Sequence, residues 1–255
     1  MMRQAVYWRI ASFLVAVAFV GVWQLIANLK LVSPVFLPGP DRAWASLVRG
    51  FTSGDLASKL LGTLEHMAYG WLLASFAGIA LGAVIGSSGT ARSYIAPSLE
   101  FLRPLPVSAI IPVAIAMFGL TQAMALFVIS FGAIWPMLLA TIHGFAAVEP
   151  RLYEVARSLQ MSRLAVIFKI ALPSAAPDIL AGMRLSLTVA LILSVVCEIL
   201  AGLDGLGHFV LLSARAFRSA DLFAGVIVLG LIGYLTAQMM SFAETRLLGY
   251  RRGIR

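Results

Sequence analysis

Few side chains in this sequence can do chemistry, and their spacing limits what that chemistry could be. His66, His143 and His208 stand far apart, and none forms a His-Glu pair at metal-ligand spacing. Each reads as a satisfied histidine near the end of an apolar segment. The three lysines, Lys30, Lys59 and Lys169, follow no glycine run, so no G-x-x-x-x-G-K-[ST] loop is present to cradle a phosphate. No serine stands in a nucleophile-elbow pattern. The one cysteine, Cys197, lies in an apolar run and reads as a buried structural thiol, and no disulfide can form within the chain. Glu198 shares that run, with Arg184 near its opposite end. A carboxylate there could line a solute route, pair with an arginine of the following loop, or close a helix end in contact with water. The chain therefore reads as doing no covalent chemistry of its own. Any uphill work would draw on a partner or an ion gradient, and the near absence of other acids inside the apolar runs argues against an ion-driven carrier.

Much of the remaining charge gathers in a polar stretch, 149–177. Leu152, Val155, Ala156 and Leu159 fall at i, i+3, i+4 and i+7, and Leu164, Ile167, Phe168 and Ala171 repeat the spacing. Each set predicts a short amphipathic helix with one apolar face, leaving Arg151, Glu154, Arg157, Arg163 and Lys169 for the other sides. Pro150 suits a first helical position, where its missing N–H has no partner anyway. Ser162 can cap the second helix, and Pro173 is expected to stop it. The product is a compact elbow with an apolar and a basic side. By itself this fits an amphipathic linker lying on lipid headgroups as well as a handle for a partner.

Apolar segments must position these groups. The chain has 255 residues, 61% hydrophobic and 12% charged, with a mean hydropathy of +0.96. Soluble domains carry about 25% charged residues, so this is a polytopic membrane protein. Spans are predicted at roughly 10–29, 63–87, 99–118, 122–143, 180–201 and 222–244. The first is too long for a signal peptide and reads as an anchor. Gly78, Gly82 and Gly86 share one face of the second, a spacing that allows close helix packing. Pro104, Pro106 and Pro112 interrupt the third, which is expected inside the bundle because freed carbonyls need partners. The run 31–40, rich in proline, should be extended and external, and 41–49 a short interfacial helix with Trp44, Leu47 and Val48 facing lipid. With the N-terminus inside, basic residues of the inner pieces outnumber those of the outer pieces. Arg3, Arg9, Arg92, Arg103, the elbow, Arg251, Arg252 and Arg255 are all inner, which puts the elbow in the cytoplasm. The net charge of +8 then reflects cytoplasmic loops and not nucleic-acid binding.

The elbow resembles the cytoplasmic loop of inner-membrane permeases of bacterial ATP-binding-cassette (ABC) importers. That motif reads E-A-A, three residues, G, nine residues, I, one residue, L-P. Glu154, Val155 and Ala156 stand in the first three places, Gln160 at the glycine, and Ile170, Leu172 and Pro173 at the end. Valine for alanine and glutamine for glycine are the departures. The run 31–40, the proline-rich segment 101–119 and the outer Gly205, Leu206 and Gly207 resemble the nitrate, sulfonate and taurine branch of these permeases.

The resemblance implies an all-α membrane protein of about six transmembrane helices, with a cytoplasmic two-helix coupling elbow between the fourth and fifth. Residues 1–255 would form one permease domain in the bacterial inner membrane, multi-pass, with both termini cytoplasmic. Its implied partners are a second copy (a homodimer), two cytoplasmic ATP-binding subunits, a periplasmic or lipid-anchored solute-binding protein and membrane lipid, without nucleic acid. The chain itself would hold no cofactor; ATP and Mg would be bound by the partner ATPase subunits. Coupling would fall to Glu154, Val155, Ala156, Arg157, Leu159, Gln160, Ile170, Leu172 and Pro173, so Glu154→Lys or Ala156→Asp should uncouple a chain that still reaches the membrane. Ser108, Met117, Gln122, Met124, Ser194 and Glu198 are candidate lining residues of a mostly apolar pathway. The solute would be small and anionic, such as a sulfonate, taurine or nitrate; a vitamin-precursor importer of the same fold is the nearest alternative. A secondary transporter or channel working without ATPases, or a membrane scaffold recruiting a soluble enzyme, are the readings from other classes. The lack of an internal repeat favours a pathway completed by a symmetric partner.

Overall fold

A computed structural model describes residues 2–248. The basic tail, with Arg251, Arg252 and Arg255, and the side chains of Arg3 and Arg9 lie outside the described residues. Among those described, the chain is helix and turn with no strand. Five helices are long and apolar enough to cross a membrane by length and composition. They are α1 (Met2–Asn28), α3 (Asp55–Gly86), α6 (Gln122–Ala146), α9 (Leu172–Ala201) and α11 (Ser219–Leu247). Between them lie α2 (Pro40–Thr52), α4 (Gly89–Leu102), α5 (Val107–Phe118), α7 (Pro150–Ser158), α8 (Arg163–Val166) and α10 (Leu206–Arg215).

The core is a bundle of α3, α6 and α9. Small residues set its spacing. A Cβ on Gly82 would lie 2.6 Å from Thr141 Cβ, and one on Gly86 2.7 Å from Phe145 Cβ, so the glycine face predicted on α3 is the surface on which α6 lies. The register also gives direction. Gly70 meets Ile129, Gly78 meets Met137, Gly82 meets Thr141 and Gly86 meets Phe145, so α3 and α6 run parallel. On α9 the order reverses, Gly132 meeting Leu193 and Gly144 meeting Ala175, so α9 runs antiparallel to both. Parallel α3 and α6 oblige residues 87–121 to carry the chain back along the bundle.

That return differs from the continuous segment expected at 99–118. It is split into α4 and α5, because Pro104 and Pro106 lack the amide hydrogens a helix needs and restrict the residue before each. Nor is it inside the bundle. Ile111 and Ala114 are buried against α6, while Ser108, Val113 and Met117 are exposed.

The first turn of α2 begins at Pro40, and its Trp44 and Val48 are exposed. Leu47 instead packs against the core. The stretch 31–37 is turned and not extended, with Phe36 and Leu37 both donating to the Ser33 carbonyl. Helix α1 meets α11 through Trp23, near its C-terminal end. Trp23 Nε1 donates to the Pro38 carbonyl at 2.9 Å, and its ring lies 5.4 Å from that of Phe223.

Candidate functional site

Two polar assemblies occupy opposite ends of α9. At its N-terminal end is the elbow. Pro150 takes the first position of α7, as its chemistry predicts. The helix closes in a Schellman turn: Gln160 donates to the Arg157 carbonyl and Met161 to the Ala156 carbonyl, each at 3.0 Å. Gln160 sits at φ +51°, in the left-handed region. The backbone therefore demands there what the motif's glycine supplies. A side chain in that region costs about 1 kcal/mol, so Gln160→Gly should stabilise the turn by that order. Slower amide hydrogen exchange at residues 157–162 in the variant is the expected result; unchanged exchange would count against it.

Ser162 caps α8, its Oγ accepting from the Ala165 amide at 3.3 Å. Pro173 does not stop this second helix. Residues Ile167–Ala171 form a π turn that feeds directly into α9, giving one continuous helical rod from Arg163 to Ala201. Proline has no amide to bond back to the preceding turn and its ring crowds that turn, and a π turn is one of the local widenings by which helices absorb such a mismatch. The elbow is thus one short helix, a left-handed turn, and the projecting end of α9.

This geometry divides the predicted coupling residues. Ala156 is 1% exposed. Ile170 and Leu172 pack into a small core with Phe145, Val148 and Ala175 beneath the elbow. Ile170 and Leu172 thus fasten the elbow to the bundle, and an Ala156→Asp change would first bury a carboxylate within the chain. Val155 and Leu159 are 54% and 68% exposed, and Leu164 and Phe168 are exposed beyond the turn. Glu154 and Arg157 border an open cavity of about 690 Å³ between α7, α8 and the end of α3. Tyr153 lies under this surface, where burial pushes its phenol up and the Arg92 charge pulls it partly back.

At the other end of α9 is a buried latch. Glu198 is fully buried. Its Oε2 accepts from Thr63 Oγ1 at 3.0 Å and from the Gly207 amide at 2.8 Å, and Oε1 lies 3.1 Å from His66 Nδ1. Thr63 Oγ1 in turn accepts from the Leu206 amide at 2.8 Å. The first amides of α10 are thus satisfied by side chains of two other helices, and the carboxylate sits where that helix's dipole favours it. A Cβ on Gly207 would meet the Val195 carbonyl oxygen at 2.5 Å, so only glycine allows this approach. Lys59 pairs with Asp204 just outside. Its carboxylate is closed off from the surface and pairs with no arginine among the described residues; it staples α3, α9 and α10. Thr63 and His66, three apart on one face of α3, were the signal for its partners.

Of the candidate lining residues, Met124 and Ser194 are buried like Glu198, with Ser194 Oγ bonded to the Ala190 carbonyl at 2.8 Å. These three line no open path here. Ser108, Met117 and Gln122 are exposed on α5 and at the start of α6. Gln122 borders a cavity of about 220 Å³ with His66 and Tyr69.

Residues 74–248 match the family described as "Binding-protein-dependent transport system inner membrane component". The chain is 32% identical over 240 residues, 94% of its length and 87% of the relative's, to the "Putative aliphatic sulfonates transport permease protein SsuC" of Bacillus subtilis (strain 168). It is 31% identical to a taurine transport system permease protein of Escherichia coli (strain K12), over 89% of this chain and 84% of that one. It is 30% identical to a nitrate import permease protein of Leptolyngbya laminosa, over 91% and 86%. Among solved structures, an inward-facing form of the MetNI methionine ABC transporter shares the fold, with a TM-score of 0.66, 15% identity, and 75% of this chain and 95% of that chain covered.

Proposed function

The chain belongs to the family of binding-protein-dependent transport system inner membrane components, and from that premise we propose how it works in an importer for a small oxyanion. It is a membrane permease subunit of an ABC importer, of the nitrate, sulfonate and taurine branch, and a transporter component in place of an enzyme. Such permeases work with ATP-binding subunits and a solute-binding protein. Two copies of this single-domain chain would form the pathway, with two ATPase subunits beneath and the binding protein above. Both termini would then be cytoplasmic, and residues 87–121 would complete a sixth crossing. ATP and Mg would be held by the ATPase subunits.

The observation that carries this reading is the elbow: exposed apolar Val155 and Leu159 beside charged Glu154 and Arg157, on a support that is itself packed. An apolar centre with a polar rim is what a protein partner buries. The adjoining rod from Arg163 to Ala201 has 39 residues, roughly 58 Å at about 1.5 Å each. It leads from the elbow to Glu198, so a push at one end is delivered to the helices stapled at the other. The sulfonate, taurine and nitrate carried by the relatives share an oxygen-rich anionic group, and that chemistry is the proposed solute class.

Purification of the tagged chain from its native membrane should bring down an ATP-binding subunit. The reconstituted assembly should take up an oxyanion only with ATP and binding protein. Uptake by this chain alone, without either, would favour a secondary carrier or channel.

A further inference from the structure

We propose that Arg103 reads the anionic head of the solute within the transport pathway, from a break between α4 and α5 that faces water at membrane depth. The inference rests on the oxyanion reading and the sixth crossing proposed above. Register sets the depth. A Cβ on Gly132 would lie 3.2 Å from Val107 Cγ2, so the start of α5 is level with Gly132. Gly132 follows Gln122, the first residue of α6, by ten positions, about 15 Å along the helix. That is half of a hydrocarbon core roughly 30 Å thick. Arg103 precedes Val107 by four positions, about 14 Å when fully extended. The chain is not extended there: the Leu105 amide donates to the Leu102 carbonyl at 3.2 Å and closes a turn. Arg103 therefore lies within the depth of the core, and not in the inner loop where the charge count places it.

The break is uncovered in the single chain. Leu102, Arg103, Pro104, Leu105 and Pro106 are all exposed, and the two prolines offer no amide to the carbonyls around them. Non-helical backbone at this depth is tolerated only against protein or along a water-filled cavity. A guanidinium selects the wet alternative, because a charge in hydrocarbon is expensive and intramembrane arginines mark solute routes. Its planar fork donates two parallel N–H bonds to an oxygen-rich anion. Beside it, Ser108, Ala109, Pro112 and Val113 continue an exposed face along α5, turned from the buried Ile111 and Ala114. A cation and a hydroxyl next to an apolar strip suit an anionic head on a short hydrocarbon. A two-fold axis through the pathway would set a second such arginine opposite the first.

The test is the ratio of solute imported to ATP hydrolysed by the complete transporter in proteoliposomes. Ethanesulfonate, taurine and nitrate are each offered on the binding protein. Arg103→Gln should lower the ratio at least about tenfold, the order of one lost hydrogen bond to a charged group. Arg103→Lys, which keeps the charge without the fork, should recover part of it. A ratio equal to the parent's in Arg103→Gln overturns the site. Arg103→Cys should react with a charged, membrane-impermeant thiol reagent supplied on both faces, and the transported anion should slow that reaction. Buried Cys197 gives the unreactive background. A cysteine that does not react lies against lipid or is sealed between copies, and one that the anion does not protect sits among headgroups; either result overturns the site. Glu100 stands three positions before Arg103, and Glu100→Gln should keep the parental ratio. A loss matching that of Arg103→Gln would make the two a structural pair and overturn the proposal. A parental transporter that imports none of the three anions overturns the oxyanion reading itself, a failure visible before any variant is made.

Discussion

Val155→Asp is expected to abolish coupling, with solute-stimulated ATP hydrolysis and uptake both falling roughly a hundredfold, as for truncation of an interface hot spot. The chain should still reach the membrane at parental levels. The argument is one of location. Val155 is 54% exposed in this chain, so a carboxylate there is solvated and costs the permease little. In a partner's groove the same carboxylate loses its water without gaining a cation, which is the expensive case. Leu159→Asp should behave similarly, since Leu159 is 68% exposed and adjoins the turn. Ala156→Asp is the instructive contrast. With Ala156 sealed inside the chain, its replacement should lower the amount of folded protein along with the activity. Measuring membrane abundance beside ATPase stimulation separates the two classes, and full coupling in both exposed-site variants would remove the elbow from the mechanism.

Glu198→Ala should be strongly destabilising, by about 1–3 kcal/mol for each buried donor left without its acceptor. The loss is spread over named groups: the Thr63 hydroxyl and Gly207 amide lose their acceptor and His66 loses its counterpart. The N-terminus of α10 comes loose from α3 and α9. Glu198→Gln keeps an acceptor oxygen at the same place and should recover part of the loss. Thermal unfolding of the purified permease in detergent reads both. An Ala variant that melts with the parent would mean that the latch is not a structural tie. Because Glu198 ends the rod that begins at the elbow, the Gln variant should also import less solute per ATP than the parent.

How much of this was legible depended on the range of the interaction. Five of the six apolar runs, the glycine face of α3, Pro150 at a helix start and Ser162 at a cap are properties of neighbours along the chain, and the structure has them. Pro173 misled because its local effect is to end a helix, and the π turn before it absorbs the same defect without ending anything. Ala156 misled because it belongs to the apolar stripe by period, while the stripe itself is shared between the bundle and the outside.

By itself the sequence determined that this is a helical membrane protein with a short amphipathic elbow, and its motif determined the family, because hydropathy, helical period and capping are local and need no partner. Only the tertiary structure decided which elbow residues hold and which are offered. It alone showed that Glu198 is a staple, and that His66 stands between that staple and a cavity. Those assignments join Thr63, Glu198 and Gly207 across gaps of up to 144 positions, and they follow from parallel α3 and α6 with α9 reversed beside them. Proximity of that kind arises when the helices pack and leaves no period in the chain to read.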